Sequence, residues 1–71
     1  MFITVTEITE DDDDVLHTKQ VALNPLHIAR FQSLEEEPEQ TLIETILSDE
    51  PSMIVSDSFA TIWSKIKEAL G

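Results

Sequence analysis

The clearest pattern in the chain is an apolar stripe close to its C-terminus. Between Ser56 and Gly71, apolar side chains recur at intervals of three and four residues, as on one face of a helix: Phe59, Ile62, Trp63, Ile66, Ala69 and Leu70. Ser56 or Asp57 can accept a hydrogen bond from a free N–H at the helix start, and Gly71 suits a left-handed stop. The pattern predicts a helix over residues 57–70. Its apolar stripe carries the only tryptophan, so we expect it to cover an apolar surface.

The N-terminal third of the chain alternates between apolar and polar positions, which is typical of strands. Ile3 and Val5 alternate with threonines in residues 1–8, and a weaker alternation follows over residues 15–23. A run of acidic residues separates the two segments, and self-repulsion favours a solvated turn there. We therefore expect a hairpin. Residues 15–23 have no cleanly apolar side, which predicts an edge strand or a partly irregular one.

Shorter apolar segments fill the middle of the chain. Asn24 and Pro25 favour one short helical turn over residues 24–27. Residues 28–34 fit either a strand or a short helix, and we favour the strand. Residues 41–47 and 53–55 are predicted to be further strands. One turn, at 35–39, precedes the first of them, and a second turn, at 48–51, lies between the two.

These elements together predict the fold class. We expect one small α+β domain over residues 1–71, an antiparallel β-meander of four or five short strands with one C-terminal amphipathic helix packed on it. One helix leaves the other face or the edges of the sheet uncovered, which favours a partner.

The small size of the chain bears on how it is stabilised. Seventy-one residues bury a marginal core, and without cysteine no disulfide can reinforce it. A metal ion or self-association is the usual remaining remedy, and on size alone a homodimer is predicted. The absence of cysteine fits a reducing compartment, and residues 1–5 lack the pattern of a secretory signal. No apolar run has the length of a membrane span. These features favour a cytoplasmic, soluble protein without membrane binding.

Charge narrows the class of partner. Fifteen acidic residues oppose four basic ones, giving a formal net charge of −11. Direct binding to nucleic acid is disfavoured because too few cations are present to neutralise phosphates. A protein with a basic surface is a more suitable partner. The acidity also has a simpler interpretation, which is that it keeps a small protein in solution.

Most of the acidic residues lie in predicted turns. If the strands form a meander, the first two acidic turns share one end of the sheet and place nine carboxylates close together. Such a cluster could be a calcium site, a mimic of nucleic-acid phosphates, or a solvated rim. The calcium interpretation is weak, because four consecutive aspartates lack the spacing and the glycine of an EF-hand loop. The candidate partner-binding residues are Asp11, Asp12, Asp13, Asp14, Glu35, Glu36, Glu37 and Glu39.

No residue pattern indicates catalysis, a cofactor or a metal. His17 and His27 are ten positions apart, which is not a zinc spacing, and His17 is expected to face a carboxylate. The serines lack a nucleophile elbow, and the single glycine is terminal, so no phosphate-binding loop can form. We predict that the chain is not an enzyme and assign no catalytic, cofactor-binding or metal-binding residue.

The order of short motifs resembles the small FlbD-type flagellar and swarming motility family. The motifs are residues 3–8 (ITVTEI), 21–28 (VALNPLHI), 41–43 (TLI) and 54–56 (IVS), followed by the amphipathic helix. The resemblance implies strands, a helix and no catalytic residues. The chain departs from the family where acidic and proline-containing turns replace glycine turns, and in its stronger negative charge.

Two functions are compatible with these features. The first is a non-enzymatic, acidic, protein-binding adaptor or regulator. The alternative is a nucleic-acid-mimicking inhibitor of a basic nucleic-acid-binding protein, for example one encoded by a phage.

Overall fold

The computed structural model describes residues 1–46 and 49–71. Within these residues it contains one antiparallel sheet and one C-terminal helix, which confirms the predicted α+β class. The strands are β1 (Ile3–Glu10), β2 (Leu16–Leu23), β3 (Ile28–Ser33), β4 (Thr41–Thr45) and β5 (Ser52–Val55). A 3-10 turn (Pro25–His27) precedes β3, and the helix α1 is Phe59–Leu70.

The sheet is built from two locally connected units. β1 and β2 form the predicted hairpin, in register from Ile3 opposite Leu23 to Glu10 opposite Leu16. β3, β4 and β5 form a meander. The units join where β5 pairs with β1, with Val55 opposite Glu7, so the strand order is β2-β1-β5-β4-β3. β2 is therefore an edge strand, as its pattern predicted.

The short connection between the two edge strands requires a rolled sheet. The chain from Leu23 to Ile28 reaches about 18 Å at full extension. The two edge strands of a flat five-stranded sheet lie about 19 Å apart across the sheet, and any displacement along the strands adds to the distance that the connection must span. The 3-10 turn shortens the connection further. Asn24 caps the start of this turn, because its side-chain oxygen accepts a hydrogen bond from the Leu26 N–H at 3.0 Å. The edges consequently curl towards the core, where side chains of both edge strands pack.

The core lies between the inner face of the sheet and one side of α1. Its buried apolar residues are Ile3, Val5, Ile43, Met53, Val55, Ile62 and Ile66. Glu7 continues the inward positions of β1 and is 6% exposed, with Lys19 Nζ 3.6 Å from its carboxylate. On the outer face, Leu42 and Ile54 lie opposite each other, and Ile54 is 38% exposed.

The helix begins two residues later than its pattern predicted. Ser58 caps α1 by accepting from the Thr61 N–H at 3.2 Å, so the prediction of Ser56 or Asp57 as the cap was wrong. The physical reason is that the Asp57 carboxylate is used elsewhere. It accepts from the Thr6 N–H at 2.8 Å and contacts Lys65 Nζ at 3.1 Å.

The apolar stripe of α1 divides into a buried and an exposed part. Ile62 and Ile66 are buried, whereas Phe59 is 44% and Trp63 is 48% exposed. The expectation that the whole stripe covers an apolar surface is therefore correct for Ile62, Ile66 and Ala69, which pack in or against the core, but not for the exposed parts of Phe59, Trp63 and Leu70. The aromatic residues lie at the border of the covered area.

The predicted strand over residues 28–34 and the short turn over 24–27 are confirmed as β3 and the 3-10 turn. The end of the predicted strand 41–47 and the start of the turn 48–51 fall on Leu47 and Ser48, which lie outside the described residues. In residues 1–46 and 49–71, no helix has the length and apolarity needed to cross a membrane.

Candidate functional site: an aromatic surface beside an acidic loop

Three of the four aromatic side chains form one cluster. Phe59 and Trp63 are one helical turn apart on α1, and Phe31 reaches them from β3. The ring centroids of Phe31 and Phe59 lie 4.9 Å apart, and those of Phe31 and Trp63 lie 6.1 Å apart. Tilted rings at these separations attract one another, which restricts their orientations. The result is an ordered apolar surface that remains about half open to solvent.

A lysine borders this cluster on the side towards the end of α1. Lys67 Nζ lies 5.6 Å from the centroid of the Trp63 ring. A cation over an indole face is stabilised by the quadrupole of the ring. Trp63 therefore already has a cation as its neighbour on this side.

An acidic loop borders the cluster on the opposite side. Residues 34–40 connect β3 to β4, and the Leu34 N–H donates to the Gln40 carbonyl at 3.1 Å. At the base of this loop, Thr41 Oγ1 donates to the Asp57 carbonyl at 2.7 Å, just before the start of α1. The base of the loop is therefore joined to the chain two residues before Phe59, and the loop starts three residues after Phe31. We call Phe31, Phe59 and Trp63 together with the loop carboxylates the aromatic–acidic surface; the loop carboxylates are Glu35, Glu36, Glu37 and Glu39.

The basic side chains are all engaged elsewhere. Lys19 pairs with Glu7 at 3.6 Å, Arg30 with Glu44 at 2.6 Å and Lys65 with Asp57 at 3.1 Å. Lys67 lies over Trp63. Within residues 1–46 and 49–71, no cation lies within ion-pair distance of the four loop carboxylates, which are all exposed.

The first acidic turn has a different organisation, because Asp11 holds it together. Asp11 Oδ1 accepts from the Asp13 N–H at 2.9 Å and from the Val15 N–H at 3.0 Å. Its Oδ2 lies 2.7 Å from His17 Nε2, so the prediction that His17 faces a carboxylate is confirmed. The hydrogen bond to His17, followed by the two backbone bonds, holds the pKa of Asp11 below its usual value. Asp14 completes the turn with a left-handed φ of 61°.

The two acidic turns do not share an end of the sheet, so the predicted cluster of nine carboxylates does not form. β5 lies between β1 and β4, and each neighbouring pair is antiparallel. The β1–β2 turn and the β3–β4 loop therefore lie at opposite ends of their strands. The β4–β5 turn, with Asp49 and Glu50, lies at the same end as Asp11 to Asp14. The candidate residues are thus divided into two groups of four.

The tether at Asp57 was missed by sequence reasoning. Asp57 joins the helix to β1 through Thr6, and Lys65 Nζ also contacts the Thr4 carbonyl at 2.6 Å. Asp57 and Lys65 are separated by eight positions, which is no standard helical pairing, and the contacts depend on the packing of α1 against β1. No local signal indicated them.

Phe2 lines two small clefts. One has a volume of about 230 Å³ and extends towards Lys65 and Glu68, and the other has about 220 Å³ and extends towards His27 and Thr45. In the part of the chain that the structure describes, no three histidine, aspartate or glutamate side chains are arranged to hold a metal ion. The aromatic–acidic surface is therefore the most distinctive candidate site.

No protein family, no characterised protein and no solved structure matches this chain. The resemblance to the FlbD-type motility family accordingly stays a prediction.

Proposed function

We propose that this chain is a non-enzymatic, protein-binding adaptor or regulator whose partner has a basic surface. The observation that supports the proposal is the exposure of Phe59 and Trp63, at 44% and 48%, in an ordered cluster. Aromatic residues are enriched among the side chains that dominate the affinity of protein interfaces. The cluster has the chemistry of such a contact.

Burial of these rings would favour association. Complete burial of a large apolar side chain contributes about 1.5–3 kcal/mol, so covering the exposed half of each ring contributes about 1 kcal/mol. The rings already pack on Phe31, which lowers the entropy lost when a partner covers them. Both effects favour a docked partner over an open surface.

The charge of the chain indicates the kind of partner. A net charge of −11 attracts a basic protein over a distance of about 8 Å at physiological salt and accelerates encounter. The same charge makes two copies of this chain repel one another. A homodimer, predicted from size, therefore has to form against this repulsion. A basic partner is instead attracted by the negative charge of the chain. The lack of cysteine fits activity in the cytoplasm.

The alternative function, a nucleic-acid-mimicking inhibitor of a basic protein, is supported by the overall acidity. Such a mimic requires an extended array of carboxylates. The two acidic turns lie at opposite ends of the sheet, so they do not form the cluster of nine carboxylates that was predicted from a simple meander. Among the contacts of residues 1–46 and 49–71, none favours this alternative over the adaptor.

Capture from a lysate of the source organism would test the proposal. The immobilised chain should retain one or more basic proteins, and Phe59→Ala or Trp63→Ala should release them. Leu16→Ala and Ile54→Ala serve as controls, because these side chains are exposed but lie on the sheet rather than on α1. Retention of the same proteins by all four variants, or of none by the natural chain, would contradict the proposal.

A further inference from the structure

We infer that the aromatic–acidic surface binds a linear segment of a partner protein in which a large apolar side chain is flanked by basic residues on one side only. This inference rests on the proposed function and specifies the chemistry of its partner. The apolar side chain would pack on Phe59 and Trp63, and the basic residues would pair with the loop of residues 34–40.

The apolar part of the inference follows from the geometry of the rings. Phe59 and Trp63 project from successive turns of α1, and both contact Phe31. A large aliphatic or aromatic side chain can cover both exposed rings at once. A polar side chain would lose water at this surface with little compensation, because the phenylalanine rings have no polar atom and the indole of Trp63 offers a single donor.

The basic part follows from charge complementarity. Glu35, Glu36, Glu37 and Glu39 are exposed, and no lysine or arginine of the described chain lies within ion-pair distance of them. The cations that could neutralise them are held by Glu7, Glu44, Asp57 and the Trp63 ring. A partner must therefore supply the positive charge, and arginine suits carboxylates best because its guanidinium group can bind them through two parallel hydrogen bonds.

The requirement for basic residues on one side only follows from Lys67. The acidic loop borders the cluster near the start of α1, whereas Lys67 borders it near the end. Charges of opposite sign therefore lie on either side of the rings. A segment with cations at both ends would place one of them beside Lys67, and repulsion there lowers its affinity.

Trp63 makes a direct test possible, because it is the only tryptophan and the chain has no tyrosine. The probe is a short synthetic peptide with an arginine-rich half and a leucine-rich half and without tryptophan or tyrosine. Titration of the peptide should shift the Trp63 emission to the blue and reach saturation. A peptide of the same composition with arginines on both sides of the leucines should bind several-fold more weakly.

Two triple variants with matched charge separate local pairing from long-range attraction. The triple variant E35Q, E36Q and E37Q removes three carboxylates at the surface, and we expect it to weaken peptide binding about tenfold at low salt. The control variant E10Q, D12N and D13N removes three carboxylates at the other end of the sheet and should weaken binding less than twofold. Equal losses in both variants would overturn the inference, because only the net charge would then matter.

The remaining outcomes are also decisive. If Trp63 emission does not respond to the peptide, the inference is wrong. If the emission shifts with protein concentration alone, a second copy of the chain covers the surface and the inference is again wrong. In either case the proposed function survives if capture from a lysate still depends on Phe59 and Trp63, so the two failures can be distinguished.

Discussion

The two sides of α1 carry equally apolar residues but differ in what they contact. Ile62 and Ile66 are buried on the inner face of the sheet, whereas Phe59 and Trp63 are about half exposed. One helical turn separates Phe59 from Trp63, just as one turn separates Ile62 from Ile66. By spacing alone, all four residues belong to the same apolar stripe. The difference teaches that periodicity identifies an apolar stripe without showing how much of it the rest of the fold covers.

The acidic turns show the same contrast. Asp11 is occupied by two backbone N–H groups and by His17, whereas the carboxylates of the β3–β4 loop have no cation nearby in the described chain. Acidic turns that look similar in sequence therefore differ in role. Asp11 stabilises the conformation of its own turn, whereas the carboxylates of the β3–β4 loop are exposed and can contact a partner. The following predictions test this division between structural and exposed residues.

The largest effect is expected for Ile62→Ala. Ile62 is fully buried, so its truncation leaves a cavity in the core and should lower the free energy of unfolding by about 2–5 kcal/mol. Ile54→Ala is the matched control, because Ile54 is 38% exposed on the outer face of the sheet and should cost about 1 kcal/mol. Urea denaturation of both variants measures the difference. Equal losses would show that the two faces do not differ as described.

Asp57→Ala should have the next largest effect. The substitution removes the acceptor of the Thr6 N–H and the carboxylate that contacts Lys65. Hydrogen bonds to charged groups contribute about 1.5–3 kcal/mol, and we expect a loss of about 2 kcal/mol in urea denaturation. Asp12→Ala is the control and should change stability by about 0.5 kcal/mol or less, because Asp12 is exposed in the first turn. A near-zero effect at Asp57 would mean that the tether does not hold α1 in place.

Trp63→Ala should affect stability less than Ile62→Ala and binding more. The variant loses the contact with Phe31 and the burial of a side chain that is about half buried. We expect the two losses to cost about 1–2 kcal/mol. Binding of the arginine–leucine peptide, followed by calorimetry, should be weakened at least several-fold in this variant and be unchanged in Ile54→Ala. A stability loss as large as that of Ile62→Ala would place Trp63 with the structural residues.

The smallest effect is expected from titration of Asp11. Its hydrogen bonds favour the charged form, so its folded-state pKa lies below the ordinary value of about 3.9. The contribution of Asp11 to the turn is then complete above the unfolded-state pKa and is lost as the pH falls through the lowered folded-state value. NMR of the Asp11 carboxyl carbon and of the Val15 amide measures both events.

A second variant checks the cause of this lowered pKa. His17→Ala removes the nearest hydrogen-bond partner of Asp11 and should raise its pKa towards the ordinary value. If the pKa of Asp11 is the same with and without His17, the histidine does not organise this turn.

The features that could be predicted from sequence are those that local contacts determine. The β1–β2 hairpin, the capped turn at Asn24 and the helix follow from alternation, turn residues and helical spacing within a few residues of one another. The position of the helix start could not be predicted, because the Asp57 carboxylate is held by Thr6, which is distant in sequence.

The candidate site was predicted only in part. The acidic loop was recognised as a possible contact surface, but its neighbours Phe31, Phe59 and Trp63 were not, since their proximity depends on packing of α1 against β3. The predicted union of the two acidic turns was wrong because it assumed that β2 and β3 are neighbours. The pairing of β5 with β1 places these strands at opposite edges of the sheet instead.

The pairing of β1 with β5 also has a consequence for how the chain folds. Both the hairpin and the three-stranded meander close through short connections, so each can form early from local contacts. The central pairing brings Glu7 beside Val55, across most of the chain, and closing so long a loop costs entropy before new contacts compensate. We expect the docking of the two units to be the rate-limiting step, with folding on the millisecond-to-second timescale of sheet proteins rather than the microseconds of helical bundles.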